Sequence, residues 1–144
     1  MYRKLLFSFL IIFGLSAVAF AQKVYTPTKG SAERTAILNA LRVPVEKELK
    51  QKLQFVADTF KSNGTWAYLG GEPQSAEGGK PNYKGTEYED SIGEGNIDNN
   101  FFALLKKTKG KWKVVTYALG CSDVCYLDWW KTYKAPKNIF TNIE

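Results

Sequence analysis

Residues 101–119 (FFALLKKTKGKWKVVTYAL) constrain the fold most strongly, because two runs rich in apolar residues meet at the pair Lys109-Gly110. Such runs joined by a two-residue turn are typical of a β-hairpin. Apolar residues fall on both faces of its inner half, so we expect both faces to be covered, including the one with Leu104 and Val115. A two-residue turn predicts the pairs Leu105 with Val114, Ala103 with Thr116 and Phe102 with Tyr117.

A second hairpin is predicted around the pair Asn63-Gly64, which separates LQFVADTFK from TWAYLGG. Asn-Gly between two such runs is the strongest short hairpin signal. If these two residues form the turn, the expected pairs are Thr59 with Tyr68, Phe60 with Ala67 and Lys61 with Trp66.

An amphipathic helix is predicted for residues 32–43, preceded by a flexible lead-in, residues 22–30. Ser31 is a suitable N-cap, and an apolar stripe follows at helical spacing. Pro44 is expected to end or kink the helix, and residues 45–50 to add a turn or two. The stripe consists of Ala36, Ile37, Ala40 and Leu41.

Two further segments complete the chain. Residues 73–95 are rich in Gly, Glu and Pro, which predicts a long connection with one short helix near residues 87–93. A connection of this length is a candidate lid or rim. A last helix is predicted for residues 124–133, ending before Pro136.

The order of elements predicts an α+β fold: an N-terminal helix packed on a curved four-stranded antiparallel sheet, with a short aromatic C-terminal helix. Residues 31–144 are expected to form this single domain. Residues 1–21 have the basic start, the apolar run and the Ala19-Phe20-Ala21 triplet of a signal peptide, so cleavage is expected near Ala21. The exported chain is then periplasmic or secreted, and no membrane span is expected to remain.

The absence of histidine excludes several function classes. Ser-His-Asp and Cys-His catalysis are ruled out, and the commonest nitrogen ligand for zinc or copper is missing. We therefore expect no metal and no cofactor.

The formal charge of +6 includes Arg3 and Lys4, which leaves a scattered +4 after cleavage and argues against nucleic acid as a partner. A solvated strand end is the main interpretation of a lysine cluster near the Lys109-Gly110 turn, and contact with an anionic surface is the alternative. The cluster consists of the lysines at positions 106, 107, 109, 111 and 113.

Cys121 and Cys125 are the two cysteines of the chain. In an oxidising compartment such a pair favours a structural disulfide that fixes a strand-to-helix corner. A redox pair or copper site is the alternative, because a helix N-terminus stabilises a thiolate. Copper-delivery sites of this spacing also use a histidine, which this chain lacks.

Two further groups of residues are candidates for a site. Asp58 lies in a predicted strand between apolar residues and would be a general base if it faced a cavity with Tyr68 or Tyr117; pairing with a lysine at the sheet edge is the ordinary alternative. The aromatic residues are numerous enough to pack the core and also to line a binding surface. The candidate binding residues are Trp66, Tyr68, Tyr117, Trp129, Trp130 and Tyr133.

The helix and four-strand order resembles the cystatin-like group and its NTF2-like relatives, in which a cone-shaped cavity lies between helix and sheet. The segments AERTAILNALRVPVEKELKQKLQFVADTF, NGTWAYLGGEPQ and GKWKVVTYALG are also similar to a set of small exported bacterial proteins of unknown activity. The Gln-x-Val-x-Gly wedge of cystatin-type inhibitors is not matched, because Gln54-Phe55-Val56-Ala57 is followed by Asp58. The resemblance thus implies a fold and an exported location, and no activity.

Three functions remain open. The first is a non-enzymatic exported domain that binds a small apolar ligand or an envelope or extracellular protein through the sheet face and the aromatic helix. The second is an inhibitor of a secreted hydrolase that uses the Cys121–Cys125 loop. The third is an isomerase or lyase based on Asp58 with Tyr68 or Tyr117.

Overall fold

A computed structural model describes residues 22–141 and residue 143, so the predicted signal peptide lies outside the described residues. One helix packs on an open antiparallel sheet with the strand order β1-β2-β3-β4, and the predicted α+β fold is confirmed. A π-helical turn at Glu89–Gly93 and a 3₁₀ turn at Lys137–Ile139 lie in the loops. The main elements are α1 (Ala32–Leu49), β1 (Leu53–Ser62), β2 (Trp66–Ser75), β3 (Phe101–Thr108), β4 (Lys111–Leu119) and α2 (Trp129–Thr132).

Helix α1 begins where it was predicted to begin but does not stop at Pro44. The Ser31 hydroxyl accepts a hydrogen bond from the backbone N–H of Arg34 at 3.2 Å, and the helix continues for 18 residues. Its buried stripe recurs every fourth residue on both sides of the proline. Packing of this stripe against the sheet outweighs the roughly 3 kcal/mol that an interior proline costs. The stripe is Ile37, Leu41, Val45 and Leu49, whereas the predicted member Ala36 is exposed.

The predicted register of the β1–β2 hairpin is wrong by two residues. Lys61 pairs with Tyr68, and Ser62 pairs with Ala67. The reason is the side chain of Asn63, whose amide oxygen accepts hydrogen bonds from the N–H groups of Thr65 and Trp66 at 3.0 and 2.7 Å. Asn63 therefore stands before the turn, which is centred on Gly64 and Thr65.

Strand β1 contains a bulge at Asp58, since Ala57 pairs with Gly71 and Thr59 pairs with Gly70. The extra residue fits only because Gly71 has no side chain. A Cβ atom on Gly71 would lie 2.0 Å from the carbonyl oxygen of Val56 and 2.9 Å from the Cα of Ala57. The bulge and this glycine therefore depend on each other.

The β3–β4 hairpin turns at Lys109-Gly110 as predicted, with both residues at positive φ. The predicted pairing of Leu105 with Val114 is confirmed. Beyond that pair a register shift makes Leu104 pair with Thr116 and Ala103 with Tyr117, so the predicted inner pairs are wrong by one residue. The shift lets Val114 and Tyr117 both pack against α1, although their odd spacing would place them on opposite faces of a regular strand.

Apolar clusters cover both faces of the sheet. The helix-face core contains the α1 stripe together with Phe60, Leu69 and Leu105. The second core lies between the other face and the C-terminal segment, residues 126–143, and contains Leu104 in full burial and half-buried Val115. The expectation that both faces of the hairpin are covered is confirmed.

The loops are tied to the body more closely than the sequence suggested. Tyr83 and Ile92 of the connection between β2 and β3 are buried in the helix-face core, and the predicted short helix is a single π-helical turn. The lead-in forms a β-bridge in which Tyr25 and Ser62 exchange two hydrogen bonds of 2.8 Å. The predicted C-terminal helix is reduced to Trp129–Thr132, because the residues before it form turns around Cys125.

We expect Gly71→Ala to lower the free energy of unfolding by about 3 kcal/mol, because the new methyl group forces the bulge open. Gly78→Ala is the matched control. Gly78 has a positive φ of 92° but open space around its Cβ position, so its cost should be about 1 kcal/mol. Urea denaturation of both variants measures the difference. Equal losses would show that the close contact at Gly71 does not restrict the fold.

Candidate functional site

Five of the six candidate binding aromatics belong to the second core, and Tyr117 lies on the opposite face of the sheet. Trp66 and Tyr68 are buried between the sheet and the C-terminal segment. Trp129, Trp130 and Tyr133 are half-buried and pack against the same cluster. The ammonium groups of Lys131 and Lys137 lie 5.4 and 5.3 Å from the Trp130 ring centroid, and they cover its outer side.

Tyr68 lies at the centre of this second core. Its ring contacts Phe140 at a centroid distance of 4.9 Å and Tyr126 at 5.2 Å. Its hydroxyl is buried beside the side chains of Tyr126 and Thr141, and burial raises its pKa. The phenol is therefore held in its neutral form inside an apolar layer.

The structure does not bring Asp58 together with Tyr68 or Tyr117. The Asp58 side chain is exposed at the bulge, in a polar groove of about 490 Å³ that also contains Glu72 and Asp98. Strands β1 and β4 are opposite edges of the sheet, which separates Asp58 from Tyr117 by roughly 14 Å. Tyr68 is fully buried under the C-terminal segment instead.

The carboxylate beside Tyr117 is that of Glu48, which was not predicted from the sequence, and not that of Asp58. Glu48 of α1 accepts a hydrogen bond from the Tyr88 hydroxyl at 2.5 Å and another from the Tyr117 hydroxyl. Burial, followed by the hydrogen bond to Glu48, raises the pKa of both phenols. The arrangement joins α1, the connection and β4. Its only sequence signal is that Glu48 lies beside the buried stripe of the helix.

The segment after β4 forms a strongly held corner, residues 120–128, which we call the corner. Asn100 fixes its base, since the side chain of Asn100 accepts the N–H of Cys121 at 2.7 Å and donates to the Cys121 carbonyl at 2.8 Å. Gly120 has a φ of 62°, and a Cβ atom there would lie 2.5 Å from the Ile92 side chain. The Ile92 side chain of the connection therefore packs directly against the backbone of the corner at Gly120.

Cys121 and Cys125 lie at disulfide distance, with their Cα atoms 6.1 Å apart. The N–H of Cys125 also points to the Cys121 sulfur at 3.2 Å. Cys121 is buried at the base, whereas residues 122–125 are exposed. The pairing closes a short ring directly beside the Asn100 contact, so the loop is restrained at both ends.

The outer side of the corner presents apolar side chains to solvent. Val124 is 38% exposed and Leu127 is 43% exposed, which makes them two of the five exposed large apolar residues among residues 22–141 and 143. They border a groove of about 570 Å³ that runs from Ala118 to Asp128. A restrained loop with exposed apolar side chains has the geometry of a contact surface for a protein.

Residues 22–141 and 143 contain no group of three or more Cys, Asp or Glu side chains arranged to hold a metal ion. Within the same part of the chain, no helix is long and apolar enough to cross a membrane. Comparison with protein-family models, with curated protein sequences and with solved structures finds no match. The resemblance to the cystatin-like group stays a prediction, and function has to be argued from geometry.

We expect the double substitution Cys121→Ser/Cys125→Ser to lower the free energy of unfolding by at most about 2 kcal/mol, because the sequence separation of 4 closes a very short loop. Urea denaturation with and without reductant measures the effect. Reductant should destabilise the wild type by the same amount and leave the double variant unchanged. Two free thiols in the non-reduced wild type, detected by mass spectrometry, would contradict the pairing.

Alkaline pH should destabilise the protein through its buried tyrosines. Burial raises the pKa of Tyr83 to about 12 in the folded state, whereas the unfolded-state pKa is near 10. The protonated phenol therefore contributes its full stabilisation below pH 10. About 3 kcal/mol of stability should then be lost as the pH rises from 10 through 12.

The variant Tyr83→Phe should lose correspondingly less stability over this pH range. At pH 7 the same variant reports only the loss of the 2.5 Å hydrogen bond to Asn99, since tyrosine is protonated in both states. Denaturation series at pH 7, 9 and 11 measure the two effects separately. Parallel pH profiles for wild type and variant would contradict the role of Tyr83.

Proposed function

We propose that this chain is an exported, non-enzymatic binding domain that recognises an envelope or extracellular protein through the corner. Export follows from the predicted signal peptide, and the cysteine pair at disulfide distance fits an oxidising compartment. The observation that carries the proposal is the exposure of Val124 and Leu127 on a loop whose base is fixed by Asn100.

The restraint of the corner favours binding. Ordering a loop on association costs conformational entropy, and a loop that is already held loses less. Asn100 and the cysteine pair hold the corner at its base, while the hydrogen bonds from Thr132 N–H and Lys131 N–H to the Asp128 carbonyl lead directly into α2. The corner can thus meet a partner without reorganising.

A protein partner is favoured over a small apolar ligand, because the chain's own side chains fill both faces of the sheet. Ile37, Leu41 and Leu105 are fully buried between helix and sheet, where the NTF2-like proteins that the chain resembles have a cone-shaped cavity. The second face is filled by Tyr68, Leu104 and Ile139. The corner presents Val124 and Leu127 together on a restrained loop, and it can make apolar contacts with a protein partner.

Inhibition of a secreted hydrolase is a second candidate function, and the exposure of residues 122–125 favours it. A short closed loop that stands out from a rigid body can enter the cleft of an enzyme. The Asp/Tyr isomerase or lyase receives no support, since Tyr117 donates to Glu48 and Asp58 is exposed to solvent elsewhere.

The proposal predicts that Val124→Asp/Leu127→Asp abolishes capture of the partner. The chain from Gln22 onward is used as bait for native envelope and culture-medium proteins, with a photo-crosslinker at Ser122, and captured proteins are identified by mass spectrometry. Affinity should fall at least 100-fold in the double variant, because a charge is placed in each apolar contact.

Two controls change a valine outside the corner that is more exposed than Val124: Val43, which is 72% exposed on α1, and Val56, which is 46% exposed on β1. Val43→Asp and Val56→Asp should retain capture. A partner retained by the corner variant, or lost equally in the control variants, would overturn the assignment of the surface. A captured hydrolase whose activity falls on binding would identify the inhibitor function.

A further inference from the structure

The far end of the β3–β4 hairpin carries a concentration of charge that the proposed function does not use. We call residues 106–113 the lysine tip; it contains five lysines and no acidic residue. The chain from Gln22 onward has a formal charge of +4, so everything outside the lysine tip amounts to −1. The lysine tip therefore accounts for the entire net positive charge of the exported chain.

The lysine tip projects beyond the rest of the sheet. Strand β2 begins at Trp66, which pairs with Lys106, and the last contact with that side is the 2.7 Å hydrogen bond from Lys107 N–H to the Thr65 carbonyl. Residues 108–111 therefore form a two-stranded ribbon with no neighbouring strand, and all five lysines are exposed.

No ion pair neutralises these charges in the part of the molecule that the structure describes. The only ion pair among residues 22–141 and 143 joins Lys52 and Glu46, neither of which belongs to the lysine tip. Lys106 and Lys113 pair directly across β3 and β4 on one face, an arrangement of like charges that costs stability. An anionic partner outside the chain would relieve this repulsion.

The lysines occupy both faces and the turn of the ribbon. Lys106, Lys111 and Lys113 lie on the side of the second core, Lys107 lies on the side of α1, and Lys109 occupies the turn. A linear polyanion meets a ribbon on one side, whereas a layer of lipid headgroups surrounds a ribbon end that dips into it. Aromatic rings accompany the charge, since Lys106 and Lys107 lie 4.8 and 5.9 Å from the ring centroids of Trp66 and Trp112. Trp with Lys is the residue combination found at membrane interfaces.

We propose that the lysine tip binds the surface of an anionic lipid bilayer without crossing it. Each lysine near such a surface contributes about a fivefold increase in partition coefficient. The ammonium groups would contact lipid phosphates and Trp112 would lie at headgroup depth. This proposal is independent of the corner, which begins at the opposite end of β4.

Vesicle co-sedimentation tests the proposal, using the chain from Gln22 onward at 0.1 M NaCl. Vesicles of phosphatidylglycerol and phosphatidylcholine should bind the protein at least tenfold more strongly than phosphatidylcholine alone. At 1 M NaCl this preference should disappear, because the screening length falls from about 10 Å to about 3 Å. Equal partition into both kinds of vesicle would overturn the proposal.

The decisive variant is Lys109→Gln/Lys111→Gln/Lys113→Gln, which leaves the two lysines that lie on Trp rings in place. Its partition into anionic vesicles should fall about 100-fold, with an unchanged melting temperature as evidence of folding. The control Lys29→Gln/Lys47→Gln/Lys84→Gln removes the same charge from exposed sites elsewhere and should stay within about threefold of wild type. Equal losses in both triple variants would show that net charge alone drives binding. Dextran sulfate that binds more tightly than vesicles, with the same dependence on the lysine tip, would show that the partner is a soluble polyanion and overturn the lipid proposal.

Discussion

Strand β3 is buried on both of its faces, and the rest of the structure is arranged around that condition. Leu104 and Leu105 are adjacent, point to opposite sides, and are both fully buried. Each such side chain contributes on the order of 2 kcal/mol only if something covers it. Helix α1 covers one face, and the C-terminal segment, residues 126–143, covers the other. The small 3₁₀ turn and the four-residue helix of that segment have no strong propensity of their own, so they are held by what they cover.

Local signals in the sequence predicted the elements better than their pairing. Lys109-Gly110 takes the positive φ values of a tight hairpin, and the register near it was predicted correctly. Asn63-Gly64 is an equally strong signal. However, the Asn63 side chain accepts hydrogen bonds from the N–H groups of Thr65 and Trp66, and this moves the turn by one residue along the chain. The bulges at Asp58 and after Leu104 depend on close packing between strands, which an alternating pattern does not contain. Pro44 shows the same effect in a helix, since the decisive contacts of Val45 and Leu49 are tertiary.

The candidate site was also predicted only in part, because local patterns do not contain the long-range contacts that build it. The cysteine spacing indicated a restrained corner, because two residues four apart are near each other in any turn. The contacts that hold its base come from Asn100 and Ile92, which are separated from it by a hairpin and a loop. The link between Glu48, Tyr88 and Tyr117 spans 69 residues and leaves no periodic trace. Aromatic residues were expected at a binding surface, but most of them had to fill the second core, since a single four-stranded sheet offers few other apolar groups for that face.

The β3–β4 hairpin separates two surfaces of different chemistry. Strand β4 consists of nine residues, begins at Lys111 within the lysine tip and ends at Leu119 directly before the corner, a length of roughly 27 Å. Its charged end has repelling lysines and no carboxylate partner among residues 22–141 and 143, whereas its other end is fixed by Asn100 and leads to the exposed Val124 and Leu127. The two ends point in opposite directions because they belong to one strand. A hairpin bound at its tip to an anionic bilayer would therefore hold the corner about 27 Å above the lipid, facing away from the surface and toward partners in the surrounding compartment.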